Sequence, residues 1–200
     1  MSERRPDAVE ANRRLTASVA ALLLVLLAIQ GATVVLIRPL LPLHVFIGML
    51  LIPPILLKLG STGYRFVRYY LGDPAFRRRG PPLLALRLLA PGLIGLTVLL
   101  FASGVGLLFT APGGGLLLTL HQGLFVLWFL VMTIHVLAYV WELPASTSAD
   151  WLRGRSIPRG RATRVQLLGA SLIAGAVLGA ALLPLATPWM HWIAVAGGGG

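Results

Sequence analysis

Long runs of apolar residues dominate the pattern along this chain, and short polar segments separate them. Five runs have about the 17–25 residues that cross a ~30 Å hydrocarbon core as an α-helix, or slightly more. They cover residues 15–37, 40–59, 83–109, 116–141 and 165–187. Within a bilayer, only a helix satisfies every backbone polar group inside its own segment. The pattern therefore predicts an all-α integral membrane protein with five transmembrane helices.

The polar segments divide the chain into a basic N-terminus (1–14), a single membrane domain (15–187) and a tail (188–200). Arg38 and Pro39 predict an abrupt turn between the first two spans, and the glycines after Pro112 predict a second short turn. The segment 61–82 mixes tyrosines with arginines, a composition typical of a stretch that lies at the membrane interface against anionic lipid.

Composition and charge agree with a membrane protein and exclude an ordinary cytosolic enzyme and a disordered protein. The chain is 57% hydrophobic and 12% charged, about half the charged fraction of a soluble domain. In the five-span topology, 16 of the 17 basic residues fall on one side, and only Arg38 falls on the other. The positive-inside rule makes that side cytoplasmic, with the N-terminus inside and the C-terminus outside. The net charge of +11 thus follows the membrane topology and does not indicate nucleic-acid binding.

Two histidines are predicted at the same depth in the membrane. His44 lies near the start of the second span and His121 near the start of the fourth, and both spans run in the same direction. An ionisable residue inside a span is costly and suggests a function. One imidazole from each of two helices is the arrangement that holds a b-type haem in a helical bundle. Gly48 and Gly123 leave room for a flat macrocycle, and Arg38 is a candidate partner for a haem propionate.

His135 is a third candidate ligand, fourteen residues after His121 and therefore on nearly the same helix face. The equivalent position on the second span, fourteen residues after His44, is Lys58. Lysine is a poor haem ligand, so Lys58 is a candidate partner for a propionate or a quinone headgroup. The sequence thus predicts one bis-histidine haem and leaves a second haem site incomplete.

The same residues also allow a structural interpretation. His44 and His121 lie near a membrane end and could face interfacial water, and His135 could hydrogen-bond to a neighbouring helix. His191, between Trp189 and Trp192, is typical of an interfacial anchor. A ridge of small residues on the fifth span predicts close helix packing; it consists of Ser171, Gly175 and Gly179.

Four short segments resemble small bacterial membrane cytochromes b. They are LHVFIG at 43–48, LKLGSTGYRF at 57–66, LH at 120–121 and IHVL at 134–137, and the resemblance covers about half the chain. The wider group includes haem-bearing anchor subunits of respiratory dehydrogenases and ferric-reductase-like membrane domains. By position, His44 and His121 match the expected outer ligands and His135 a third, while the chain lacks a fourth, inner histidine.

The resemblance implies a four-helix haem-binding bundle plus one additional helix, in a bacterial cytoplasmic membrane. It further implies haem b and electron transfer between the quinone pool and a redox partner, which in some relatives is an extracytoplasmic molybdopterin oxidoreductase. Such a chain would be an electron-transfer subunit of an oxidoreductase. The alternative is a non-redox membrane protein, either a small transporter subunit or an assembly partner, although no broken helix or internal repeat points to transport.

Overall fold

The computed structural model describes residues 5–78, 84–113, 115–139 and 160–197, and every long element in these ranges is a helix. The elements are α1 (Arg5–Val35), α2 (Ile37–Tyr70), α3 (Pro74–Arg77), α4 (Leu84–Leu107), α5 (Leu116–Tyr139), α6 (Arg161–Leu182), a 3₁₀ turn (Leu183–Ala186) and α7 (Thr187–Gly197). The last residues of the predicted fourth span (140–141), most of the connection after it and the end of the tail (198–200) lie outside the described residues.

Five helical segments are long and apolar enough to cross a membrane, which confirms the predicted all-α membrane architecture. They are Val9–Val35, Ile37–Tyr70, Leu88–Leu107, Leu116–Ala138 and Arg161–Val195. The chain is a multi-pass membrane protein.

The helix ends differ from the predicted spans at the first turn, at the end of the second span and after the fifth span. The first turn lies at Leu36, and Arg38 and Pro39 belong to the first turn of α2. Proline is tolerated there because the first amides of a helix have no partner within it. The segment after the fifth span, predicted as a tail, continues as a 3₁₀ turn and then as α7, in which Trp189 is buried.

Helix α2 is the centre of the packing. Ile47, Leu50 and Leu51 on α2 form one buried cluster with side chains from both neighbours: Val19, Leu23 and Leu26 from α1, and Leu168 from α6. After this core, α2 continues to Tyr70, where it ends, and the chain then turns at Gly72, which has a positive φ of 86°. Glycine adopts that conformation without the steric cost that a Cβ atom brings.

Helix α6 contacts α2 along the predicted ridge of small residues. A Cβ atom on Gly175 would collide with the carbonyl oxygen of Leu50, and one on Gly179 would lie 2.8 Å from the ring of Phe46. Apolar helices gain no hydrophobic energy by associating in lipid, so close approach and van der Waals contact must hold the pair together. The fifth span is therefore packed directly on the helix that carries His44.

Helices α4 and α5 form a second packed pair. Trp128 on α5 is buried against Leu93 and Leu100 of α4, and its indole N–H donates to Thr97 Oγ1 at 2.9 Å. Fewer contacts join this pair to the rest of the bundle, among them Leu27 of α1 and Phe101 of α4. Helices α2 and α5 do not form an extensive direct interface in the described part of the chain.

Candidate functional site: two histidines on facing helices

The predicted pair, His44 and His121, lies at the same end of the bundle. His44 lies in the third turn of α2 and His121 in the second turn of α5. Both rings are half-buried, and they are close enough to interact electrostatically. We call this end of the bundle the histidine end.

The ring of His44 is held by two side chains from α1. Thr33 Oγ1 lies 2.9 Å from His44 Nδ1, and Thr33 is only 1% exposed. Gln30 Nε2 donates to the backbone carbonyl of His44 at 3.1 Å and also lies 3.1 Å from Nδ1 and 3.4 Å from Nε2. The amide oxygen of Gln30 is buried and has no hydrogen-bond partner among the described residues.

The ring of His121 is held from α4. Ser103 Oγ lies 2.9 Å from His121 Nδ1, and Ser103 is buried. The next residue, Gly104, lies directly against the ring: a Cβ atom at this position would be 3.0 Å from His121 Cε1. Ser103 and Gly104 together fix where the imidazole can lie.

The two hydroxyl groups have the same relationship to the two rings and favour the same tautomer in both. Thr33 Oγ1 donates its single hydrogen to the carbonyl of Gln30 at 2.6 Å, and Ser103 Oγ donates its own to the carbonyl of Leu100 at 2.9 Å. A hydroxyl that donates to its own helix in this way accepts from the imidazole, and the ring proton then lies on Nδ1. The lone pair then resides on Nε2 of His44 and of His121. Ligating histidines in metal sites carry the same kind of Nδ1–H partner.

The glycines expected to make room have different surroundings. Gly48 lies against Gln30, since a Cβ atom there would be 3.5 Å from Gln30 Nε2. Gly123 is exposed and borders open space, with no described atom within 4 Å of its Cβ position. Arg38 is also exposed, six residues before His44 on the same helix.

The other two predicted site residues, Lys58 and His135, lie fourteen residues further along the same two helices. They are at the opposite end of the bundle, which we call the lysine end, and the charge of Lys58 reaches the imidazole of His135. Lys58 Nζ donates to the carbonyl oxygen of Thr16 on α1 at 3.0 Å. The equal spacing from His44 to Lys58 and from His121 to His135 thus places one group of each helix at each end of the bundle. The role of His135 as an iron ligand stays a prediction.

A polar network surrounds Lys58 at the lysine end. Thr16 Oγ1 donates to Ser61 Oγ at 3.0 Å, and Asn12 Nδ2 donates to the carbonyl of Ser61 at 3.1 Å. Ser61 Oγ in turn donates to the carbonyl of Lys58 at 3.0 Å. This network joins α1 to α2 where the apolar part of α2 gives way to its polar end.

Sequence reasoning found the histidines but missed the residues that hold them. Gln30, Thr33 and Ser103 are polar residues inside apolar spans. Burying a polar side chain in the membrane costs free energy, and this cost was the signal in the sequence that could have identified them. Gly104, which lies against the ring of His121, was not predicted as a neighbour of that histidine either. His191 lies exposed on α7.

The described residues contain no group of three or more histidine, cysteine or acidic side chains that could hold a metal ion. A bis-histidine haem requires only two protein ligands, because the macrocycle supplies the other four. Comparison with protein families, with characterised proteins and with solved structures gave no match to this chain.

Proposed function

We propose that this chain is a membrane cytochrome that binds one b-type haem between α2 and α5, with His44 and His121 as the axial ligands. The observation that carries the proposal is the matched support of the two rings. Each Nδ1 lies 2.9 Å from a buried hydroxyl oxygen, and a ring that donates from Nδ1 to that oxygen keeps the lone pair of Nε2 for a metal.

The surroundings of the pair fit a haem in two further respects. Helices α2 and α5 carry the ligands yet do not form an extensive direct interface, as expected of helices that flank a ligand. The described part of the histidine end also lacks acidic side chains, which would repel the propionates. Arg38, exposed near this end, is the candidate partner for a propionate.

When bound, the haem supplies one-electron redox chemistry, and the protein contributes ligation, burial and orientation. Thr33 and Ser103 would keep both imidazoles in the ligating tautomer. To free Nε2 of His44 for the haem iron, Gln30 would have to turn its amide nitrogen away from that atom. The amide oxygen of Gln30 is buried and has no partner among the described residues, so the turned side chain still has a group that can form a hydrogen bond. The proposed partners are the quinone pool and a redox protein, with an extracytoplasmic molybdopterin oxidoreductase as one such protein.

The proposed orientation places the lysine end and the N-terminus in the cytoplasm of a bacterial cell. The described basic side chains support it, because they concentrate at that end; they include Arg13, Arg14, Arg65, Arg68, Arg77, Arg78, Arg161 and Arg164. The haem would then lie near the extracytoplasmic face, within reach of a partner outside the cell membrane.

The deciding experiment is a reduced-minus-oxidised visible spectrum of the purified protein, with haem quantified as the pyridine haemochromogen. We expect a low-spin b-type spectrum and one haem per chain. His44→Ala and His121→Ala should each lose the haem, because a single imidazole cannot replace the pair. His191→Ala is the matched control, since His191 is exposed and lies outside the pair.

The alternative is a non-redox membrane protein, either a small transporter subunit or an assembly partner. One observation favours it: both imidazoles already have protein partners, so packing alone could account for them. Absence of haem after expression with ample haem supply, or spectra unchanged in both alanine variants, would support this alternative against the cytochrome.

A further inference from the structure

The two histidines belong to separate sets of packed helices. His44 lies on α2, which packs with α1 and α6 and forms the first helix set. His121 lies on α5, which packs with α4 and forms the second helix set. The contacts that hold the rings, from Thr33 and from Ser103, each stay inside one set. The separation of the two rings therefore depends on how one set is docked against the other.

Helix α7 carries a hydrogen bond from the first helix set to the second. The buried indole N–H of Trp189 donates to the carbonyl oxygen of Leu107 at 2.8 Å. Leu107 is the last residue of α4, and its carbonyl also accepts from the amide of Thr110 at 3.3 Å. Leu107 comes one helical turn after Ser103, the residue against the ring of His121. The Trp189 bond thus fixes the end of the helix that holds His121.

Apolar packing around this bond joins the same two helix sets. A small buried cluster contains one residue of α2, one that follows α4 and one of the 3₁₀ turn: Met49, Leu108 and Ala186. Met190 of α7 packs against this cluster, and so do Val45 of α2 and Val105 of α4. Val45 directly follows His44, and Val105 directly follows Gly104, which lies against the ring of His121. The contacts of α7 thus reach the neighbours of both histidines.

Helix α7 is itself anchored to the first helix set. It follows α6 after the 3₁₀ turn Leu183–Ala186, in which Ala186 is fully buried. Helix α6 is packed on α2 through the close approaches at Gly175 and Gly179. Because one end of α7 is held in this way, its bond to Leu107 restrains α4 relative to α2.

We propose that α7 sets the separation of His44 and His121, with Trp189 as the positioning residue. Binding groups must be held within about 0.5 Å of their productive geometry, so a change in docking would stop both Nε2 atoms from ligating one iron. This consequence for haem rests on the proposed function. The docking of the two helix sets by α7 does not, and it can be measured in the protein without haem.

Double electron–electron resonance measures the separation directly. The chain has no cysteine, so spin labels on Leu43→Cys and Leu120→Cys place one probe beside each histidine, at positions that are both exposed. We expect Trp189→Phe, which keeps an aromatic ring and removes the N–H donor, to give a broader distance distribution with a longer mean. Trp192→Phe is the matched control, because it is the same substitution on the same helix at an exposed ring.

Haem binding gives a second readout in the chain without labels. We expect Trp189→Phe to bind haem roughly two- to tenfold more weakly, as the net loss of one hydrogen bond predicts. The electron paramagnetic resonance g-values of the bound low-spin ferric haem should also shift, since they depend on the geometry of the axial imidazoles. A role in stability alone would lower the yield of folded protein and leave these g-values unchanged. Trp192→Phe should match the wild type in both measurements.

The two measurements separate failure of this proposal from failure of the cytochrome. Identical distance distributions in the wild type and Trp189→Phe would overturn the role of α7, even in a chain that binds haem. A broadened distribution in a chain that binds no haem would support the role of α7 and overturn the cytochrome. Equal broadening in Trp192→Phe would overturn the assignment to Trp189. If Trp189→Phe does not fold, Met190→Ala keeps the hydrogen bond, loosens the packing of α7 and should still broaden the distribution; an unchanged distribution there would overturn the proposal.

Discussion

Ser103 Oγ lies 2.9 Å from Nδ1 of His121 while its own hydrogen is donated to the carbonyl of Leu100. Thr33 has the same relationship to His44, with its hydrogen donated to the carbonyl of Gln30. In both cases a hydroxyl three residues after a helix carbonyl is bound to that carbonyl and also lies against Nδ1 of an imidazole on the next helix. This repeated arrangement favours the tautomer with the proton on Nδ1, in which Nε2 can ligate a metal.

Removing either hydroxyl should weaken haem binding without abolishing it. In Thr33→Val and Ser103→Ala the imidazole loses the group that fixes its tautomer and orientation, and outer partners of this kind are typically worth about 10–100-fold in affinity. Titration of the apoprotein with haem, followed by absorbance, measures the change. Thr133→Val is the matched control, because Thr133 is an exposed hydroxyl on α5 that bonds only its own helix. Equal affinity in all three variants would contradict the assigned tautomers.

A methyl group at position 104 should displace the ring of His121. The added carbon of Gly104→Ala would lie 3.0 Å from His121 Cε1, so the imidazole must shift away from Ser103. We expect a clear fall in haem content per chain, measured as the pyridine haemochromogen. Gly95→Ala on the same helix is the control, since no described atom lies within 4 Å of its Cβ position. Full haem content in Gly104→Ala would show that His121 does not need this contact.

The interface between α2 and α6 should be sensitive to a single carbon. Gly175→Ala places a Cβ atom against the carbonyl of Leu50, so the helices must move apart, at a cost of about 1–3 kcal/mol in the free energy of unfolding. Thermal unfolding in detergent, followed by circular dichroism, measures the loss. Gly169→Ala on the same helix has no described neighbour within 4 Å and should be neutral or slightly stabilising. Equal melting of the two variants would mean that the close contact contributes nothing.

The orientation in the membrane can be tested with engineered thiols, because the chain has no cysteine. Phe66→Cys lies at the lysine end and Val195→Cys on α7 at the other end, and both positions are exposed. In intact cells an impermeant maleimide should label Val195→Cys and should label Phe66→Cys only after the membrane is permeabilised. The reverse pattern would invert the proposed topology and place the candidate haem near the cytoplasm.

The number and approximate limits of the spans could be predicted because the bilayer allows only one solution for a long apolar segment. The backbone must satisfy its hydrogen bonds within the helix, so length and hydropathy are sufficient. The register of His44 and Lys58 with His121 and His135 followed from the same helical geometry, since fourteen residues return to nearly the same face.

Only the tertiary structure decided which faces meet. Each span is apolar around most of its circumference, so hydropathy does not distinguish a face that packs on another helix from one that contacts lipid. The fifth span lies on α2 because Gly175 and Gly179 allow the backbones to approach, and Thr33 reaches His44 because the chain turns at Leu36. Such contacts join residues on separate helices, and their geometry depends on how the helices pack, which the one-dimensional pattern does not contain.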